Sequence, residues 1–188
     1  MGKLIFGMGQ VSLDGYVAGR DGNFNWTTPG DDLHRHAGAE LARCSTAIYG
    51  RRMYELMVFW ETADELPDMT PAMSEFAEAW RASDKIVVSG TRADTSGART
   101  RMVRHLDADD VSRLKAASPK PITLSGPTTA SPLLNEGLVD EVTGYFLPIV
   151  VGGGLPLFLN VDRPIRLEQV EEIPFEGGFV FRRFAVVR

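Results

Sequence analysis

The stretch ITLSGPTTASPLLNEGLVDEVTGYFLPIVVGGGLPLF, Ile122 to Phe158, constrains the fold of this chain more than any other. A short apolar run, Ile122 to Leu124, breaks at Ser125-Gly126, passes through Thr128 and Thr129, and continues as a short helix ending at Gly137. A second strand follows from Val139 to about Val151, closed by Gly152-Gly153-Gly154. Strand, tight turn, helix, strand is the unit of an α/β sheet. At such a turn the first N–H groups of the helix lack intrahelical partners, and the peptide dipoles add positive potential there. A phosphate or another anion can occupy it. The same spacing equally suits an ordinary crossover turn, because strand-to-helix glycines are common in such folds.

The remainder of the chain repeats this pattern. Lys3 to Val11 reads as an apolar first strand. Its Gly7-Met8-Gly9 is not a dinucleotide fingerprint, since Ser12 stands where the third glycine belongs and a turn, not a helix, follows. Asp14-Gly15 marks that turn, and Arg20 to Gly30 is a glycine-rich polar loop anchored by Phe24 and Trp26. Asp31 and Asp32 open a helix to about Arg43 and suit its N-terminus as caps. His34 and His36, two apart on that helix, point roughly 200° apart and cannot hold one metal from a single face. Both read as surface or groove residues.

Ser45 to Tyr49 is a strand, and Gly50-Arg51-Arg52 starts another helix. Two cations at the positive end of a helix are unfavourable by themselves. An anion held by the guanidinium groups would remove the conflict. Beyond a proline-bearing loop at Glu61 to Pro71, a helix from Pro71 to Ala82 carries Met73, Phe76, Ala77 and Trp80 on one face, as a core stripe rather than a cofactor contact. Lys85 to Val88 is a buried-type strand ending at Ser89-Gly90-Thr91, a third small turn at a strand's carboxyl end, the edge where open α/β sheets bind ligands. A weak strand near Thr100 to Val103 and a helix from Asp107 to Lys115 lead back to the opening stretch. Asp140 and Glu141 read as the end of a helix-to-strand turn on the surface, with a position facing a substrate as the other reading. Ile165 to Val170 and Gly178 to Val187 form a closing antiparallel pair.

A chain of 188 residues, 44% hydrophobic and 24% charged, fits one globular domain. The formal charge of −5 argues against a broad nucleic-acid surface. A few local arginines still permit a small anionic ligand. The single cysteine, Cys44, has no disulfide or metal-ligand mate and no neighbouring base, so it reads as core. No apolar run approaches the about 18 residues of a membrane span, and no secretory pattern opens the sequence. The expectation is a cytoplasmic protein.

Four motifs in order carry a family resemblance: Ser12 to Ala18 (SLDGYVA), Gly50 to Glu55 (GRRMYE), Lys85 to Ser89 (KIVVS), and Gly137 to Glu141 (GLVDE) with Pro148 and Gly152. Together they look like the dihydrofolate-reductase-like family typified by the C-terminal reductase domain of bacterial riboflavin-biosynthesis deaminase-reductases. The resemblance implies one domain over residues 1–188. Its fold would be three-layer α/β, with a mixed, mostly parallel central sheet and a C-terminal antiparallel hairpin. It also implies a homodimer and NADPH bound across the strand ends. By the same resemblance Gly50, Arg51 and Arg52 meet the cofactor's phosphates, with an arginine near the 2′-phosphate. Ser89 and Thr91 fall at the adenosine-side turn, Ser125, Gly126, Thr128 and Thr129 at the pyrophosphate turn, and Ala18 beside the nicotinamide ribose.

Two departures matter. Pro127 has no N–H, so a phosphate donor must come from Thr128 or Thr129. Trp26 to Leu33 resembles the tryptophan, proline and aspartate-leucine segment of dihydrofolate reductases with one extra residue, which makes Asp32 the match to their substrate carboxylate; the helix cap is its other reading. The paired cysteines of the riboflavin-pathway zinc deaminase domain are absent from the sequence. The resulting expectation is a reductase similar to 5-amino-6-(5-phosphoribosylamino)uracil reductase, without a metal, acting on a small pterin- or pyrimidine-like or carbonyl substrate that need not be the riboflavin precursor. A non-catalytic nucleotide-binding module and dihydrofolate reductase itself are the alternatives.

Overall fold

The computed structural model describes residues 1–7, 9–91 and 97–188. Met8, within Gly7-Met8-Gly9, and residues 92–96, at the start of the polar run to Arg104, lie outside the described residues. The strands are β1 (Leu4–Phe6), β2 (Gln10–Ser12), β3 (Tyr16–Ala18), β4 (Thr46–Gly50), β5 (Asp84–Val88), β6 (Thr100–Val103), β7 (Ile122–Ser125), β8 (Glu141–Leu147), β9 (Leu155–Pro156), β10 (Leu167–Pro174) and β11 (Val180–Val186). The main sheet runs β10-β11-β8-β1-β7-β4-β5-β6, with β2 also pairing β8. From β8 to β6 every pairing is parallel, and β11 is antiparallel to both its neighbours. This is the mixed, mostly parallel sheet with a closing hairpin that the sequence predicts. A separate β3–β9 antiparallel ribbon adds to it.

Among the described residues, five helices flank the sheet: α1 (Asp31–Ala42), α2 (Arg51–Met57), α3 (Pro71–Ala82), α4 (Ala108–Ala117) and α5 (Pro127–Asn135). The alternation of each strand separates the two faces. Ala47, Tyr49 and Val87 pack with Leu41 of α1, Tyr54 of α2 and Trp80 of α3. Ile48, Ile86, Ile122 and Leu124 pack with Val111 of α4 and with Leu133 and Leu134 of α5. Three layers result, and the central strands, covered on both sides, read as continuous apolar runs for that reason. Each fully buried Leu, Ile or Phe contributes about 1.5–3 kcal/mol. Among the described residues, no helix is long and apolar enough to cross a membrane.

The first strand does not run unbroken from Lys3 to Val11. Phe6 pairs with Val142 and Gln10 with Tyr145, so the β1–β2 stretch spends four steps where β8 spends three. That extra residue is a bulge. Gly7 takes a φ of +130° there, and a Cβ would lie 1.8 Å from the Thr143 carbonyl oxygen. The strand predicted to reach Val151 ends at Leu147, before Pro148, which has no N–H for a ladder. The Glu61–Pro71 loop contains a short 3-10 turn at Ala63–Glu65, following another at Val58–Glu61.

Asp31 and Asp32 occupy the first turn of α1, but its N-cap is Gly30 and no side chain caps it. Asp31 instead accepts from the Thr70 hydroxyl at 2.7 Å, while Thr70 caps α3 through Met73 N–H. The first-turn acids still suit the helix dipole. His36 is not a groove residue. Its ring packs against Phe181 at 4.6 Å and Phe175 at 5.2 Å, and Nδ1 meets the Tyr145 hydroxyl at 2.8 Å. Burial lowers its pKa below the ordinary value.

Asp140 and Glu141 do not end a surface turn either. Asp140 accepts from Leu4 N–H at 2.8 Å and pairs with Lys115 at 2.5 Å and Arg188 at 2.6 Å. Glu141, buried, pairs with Lys3 at 2.5 Å and with Arg183 at 3.2 Å. Arg183 also holds Glu40 at 2.7 Å and Glu171 at 2.8 Å. These ion pairs gather where β1 and β8 begin. Cys44 is buried, its thiol pushed up to about 11 by desolvation, as its core reading requires.

Candidate functional site: a cleft at the carboxyl edge of the sheet

Register brings three strand ends together. Gly50 pairs with Val88 and Tyr49 with Ser125, so the turns after β4, β5 and β7 stand side by side at one edge. They open into a cleft of about 1790 Å³. Gly50, Arg51 and Arg52 line it from the first turn, Ser89 and Thr91 from the second, and Ser125, Gly126, Thr128 and Thr129 from the third. Ala18 of β3 joins them from across the cleft. Asp32 is not among the lining residues. One of its carboxylate oxygens accepts from Leu33 N–H at 2.8 Å and the other from Glu176 N–H at 3.1 Å, which ties the start of α1 to the hairpin turn.

The turns approach so closely that side chains would separate them. A Cβ on Gly50 would lie 2.7 Å from Thr129 Oγ1, and Gly126, at a φ of +110°, packs over the Gly50 backbone. Both serine hydroxyls here are already committed. Ser125 donates to the Gly7 carbonyl at 3.0 Å, and Ser89 donates to the Thr91 carbonyl at 2.5 Å. Thr129 N–H turns back to the Gly126 carbonyl at 3.1 Å. Arg51 resolves its own helix-terminus conflict by pairing with Glu55 one turn on, at 2.8 Å. Arg52 is exposed and has no hydrogen-bond or ion-pair partner among the described residues.

The far wall is held by glycines and one carboxylate. Asp14 accepts from Ser12 Oγ at 2.7 Å, Gly152 N–H at 2.8 Å and Val151 N–H at 3.2 Å. The Ser12 hydroxyl chiefly, then these N–H groups, hold its pKa below the usual carboxylate range. Gly154, at a φ of +137°, sits where a Cβ would be 2.0 Å from the Ala18 carbonyl, so the triple glycine lets the β3–β9 ribbon close. Asp-Gly and Gly-Gly-Gly thus position Ala18: Asp14 and Gly152 from outside the cleft lining, Gly153 and Gly154 from within it.

The other half of the cleft is side-chain built, and sequence reasoning did not assemble it. Leu33, His34, Ala37 and Leu41 of α1 line it, opposite Gln10, Thr123 and Tyr145 of the sheet. Trp60 and Phe76 complete a wall with His34, their ring centres 4.7 Å apart for Trp60–Phe76 and 6.1 Å for His34–Trp60. Phe76 therefore faces the cleft, whereas Trp80 on the same stripe is fully buried. The available sequence signals were single polar residues inside apolar strands, Gln10 in one and Thr123 in the other.

Comparison with known proteins agrees with this architecture. The chain is 29% identical over 171 residues to the uncharacterized protein YyaP of Bacillus subtilis (strain 168), covering 90% of this chain and 88% of that one. Its structure superposes on a riboflavin biosynthesis protein, so named, from Shewanella sp. PV-4 with a TM-score of 0.71 at 20% identity, over 100% of both chains. It also superposes on the dihydrofolate reductase of Enterococcus faecalis complexed with NADP(H) and RAB-propyl, at a TM-score of 0.63 and 15% identity, over 99% of this chain and 97% of that one. The structural likenesses concern the fold. The description "RibD C-terminal domain" matches residues 4–181, nearly the whole sheet and both helical layers, and the chain belongs to that family.

Proposed function

We propose that this protein is an NADPH-dependent reductase that transfers a hydride to a small planar heterocyclic or carbonyl substrate, pterin- or pyrimidine-like. The observation that carries the reading is the convergence of three strand-end turns, one bearing two arginines, on a single extended cleft. Gly50 and Gly126 leave a cradle that any Cβ would fill, which suits the close approach of a pyrophosphate. Pro127 has no N–H and the Thr129 N–H is committed, so Thr128 N–H and the threonine hydroxyls remain as donors. Arg52, and Arg51 beside it, suit a 2′-phosphate. NADPH is also the reduced form of the cofactor named with the Enterococcus reductase.

When bound, the cofactor supplies the hydride; the chain supplies position and exclusion of water. Ala18, held by the Asp14–Gly152 clasp, borders the nicotinamide end in this reading. The aromatic and aliphatic wall of the other half orients a flat substrate. Asp32 serves the docking of the hairpin on α1 and not proton delivery in this reading, because it does not line the cleft and both its oxygens accept backbone N–H bonds.

Titration with NADPH and NADH, followed by calorimetry, tests the reading. We expect NADPH to bind more tightly than NADH. The Arg51→Ala, Arg52→Ala double variant should weaken NADPH about tenfold or more, a loss of about 1.4 kcal/mol, with Arg52→Ala alone carrying the larger part. Failure of both cofactors to bind at millimolar concentration would sink it.

A further inference from the structure

We propose that Gln10 and Thr123 form the polar reading edge of the substrate half of the cleft, accepting hydrogen bonds from the amino or ring N–H groups of a planar nitrogen heterocycle. The inference rests on the reductase reading for its assignment of that half to substrate.

Register puts the two residues on one face. Ile5 pairs with Thr123 on one side and Glu141 on the other, and Gln10 pairs with Tyr145, four residues along β8 from Glu141. Side chains alternate along a strand, so Thr123, Tyr145 and Gln10 all project toward the α1 layer. There Leu33 packs on Tyr145, and Leu41 packs on Ala47, the other lateral partner of Thr123.

On this face Gln10 and Thr123 differ from their polar neighbours. Tyr145 has spent its hydroxyl on His36, Ser125 on the Gly7 carbonyl, and His34 has its Nδ1 at the Gly30 carbonyl, 3.1 Å away. Gln10 Oε1 and Thr123 Oγ1 are both buried, both on cleft-lining residues, and neither has a partner among the described residues. Thr123 is only 1% exposed. A buried oxygen left unpaired is costly, so a site keeps one where a ligand completes it. The amide oxygen can only accept, and the hydroxyl can do either, so the complementary ligand must present at least one donor. The wall of His34, Trp60 and Phe76 lining the same cleft suits a flat ring that carries those donors.

The test uses the NADPH-saturated protein with 2,4-diaminopyrimidine and unsubstituted pyrimidine as probes, read by calorimetry. The diamino compound should bind at least about tenfold more tightly. Gln10→Leu and Thr123→Val should each shrink that preference to within about threefold, while the NADPH Kd stays unchanged. A preference that survives in both variants, or its absence from the wild type while NADPH binds, overturns the inference and leaves the reductase reading intact. Lack of NADPH binding with a Gln10-dependent preference in the free protein does the reverse. Should Gln10→Leu unfold, Gln10→Glu keeps the length and the acceptors and must retain the preference; its loss there overturns the proposal.

Discussion

The two ends of the parallel strands handle polar groups in opposite ways. Where β1 and β8 begin, Asp140, Glu141 and Arg183 are partly or fully buried and every one is paired, Arg183 with three carboxylates at once. Along the cleft, Arg52 where β4 finishes, and Gln10 Oε1 and Thr123 Oγ1 on the sheet face toward α1, have no protein partners among the described residues. A closed network spends its hydrogen-bonding capacity on the fold, whereas an open edge keeps capacity for a ligand. The difference separates what holds this molecule together from what it can bind.

The contrast breaks most visibly at Arg183. Removing Arg183, itself only 8% exposed, leaves Glu40, Glu141 and Glu171 without their shared cation, with Arg43 still on Glu40 and Lys3 still on Glu141. Arg183→Met is expected to cost about 3–5 kcal/mol in denaturant unfolding, while NADPH affinity of the folded fraction stays within about twofold. A loss below about 1 kcal/mol would mean the network behaves as a surface set, and the two ends would no longer differ in kind. At the other end the corresponding change is steric. Gly50→Val would drive a side chain into Thr129, and we expect NADPH binding to weaken at least about tenfold, with a smaller stability loss of about 1–3 kcal/mol. Unchanged affinity in a calorimetric titration would remove the cradle from the binding site.

The same division explains what could be read from the sequence. The cleft edge built from backbone was legible, because glycine is required wherever turns meet closely, and Gly50, Gly126 and Gly152 to Gly154 announce such turns in the sequence. Gly7 announced a break as well, yet a bulge needs the register of β8 to be seen, and that strand lies more than a hundred residues away. The side-chain half was not legible for the same reason: Gln10, Leu33, Trp60 and Thr123 meet only after the strands order themselves. Asp140 and Glu141 looked like surface acids because their cations, Lys3, Lys115, Arg183 and Arg188, come from three separate segments, the N-terminus, α4 and the C-terminal strand with its tail. His36 looked like a groove residue because the ring cage around it belongs to β8, β11 and the hairpin turn.

His36 stands between the two ends and gives the finest test of their separation. Its Nδ1 meets Tyr145, which lines the cleft, while Glu40, one turn further along α1, bonds Arg183 in the closed network. Burial lowers its pKa; Glu40 and Glu171 pull it up and Arg183 and Arg43 push it down. With the folded-state value below the unfolded one, the unfolded chain binds more protons in the window beneath the ordinary histidine pKa of about 6.5. Stability from this group is therefore complete above that value and is lost as pH falls through the folded pKa. Unfolding measured from pH 7.5 down to 5 should show stability falling on the acid side of about 6.5, with a shallower fall in His36→Gln. NADPH affinity should follow the same course in both proteins, since the titrating ring sits behind Tyr145 and does not line the cleft that Arg51 and Arg52 line. If instead the substitution leaves the stability slope unchanged but alters the pH course of cofactor binding, the ring belongs to the open end, and the line between the two ends runs through α1 itself.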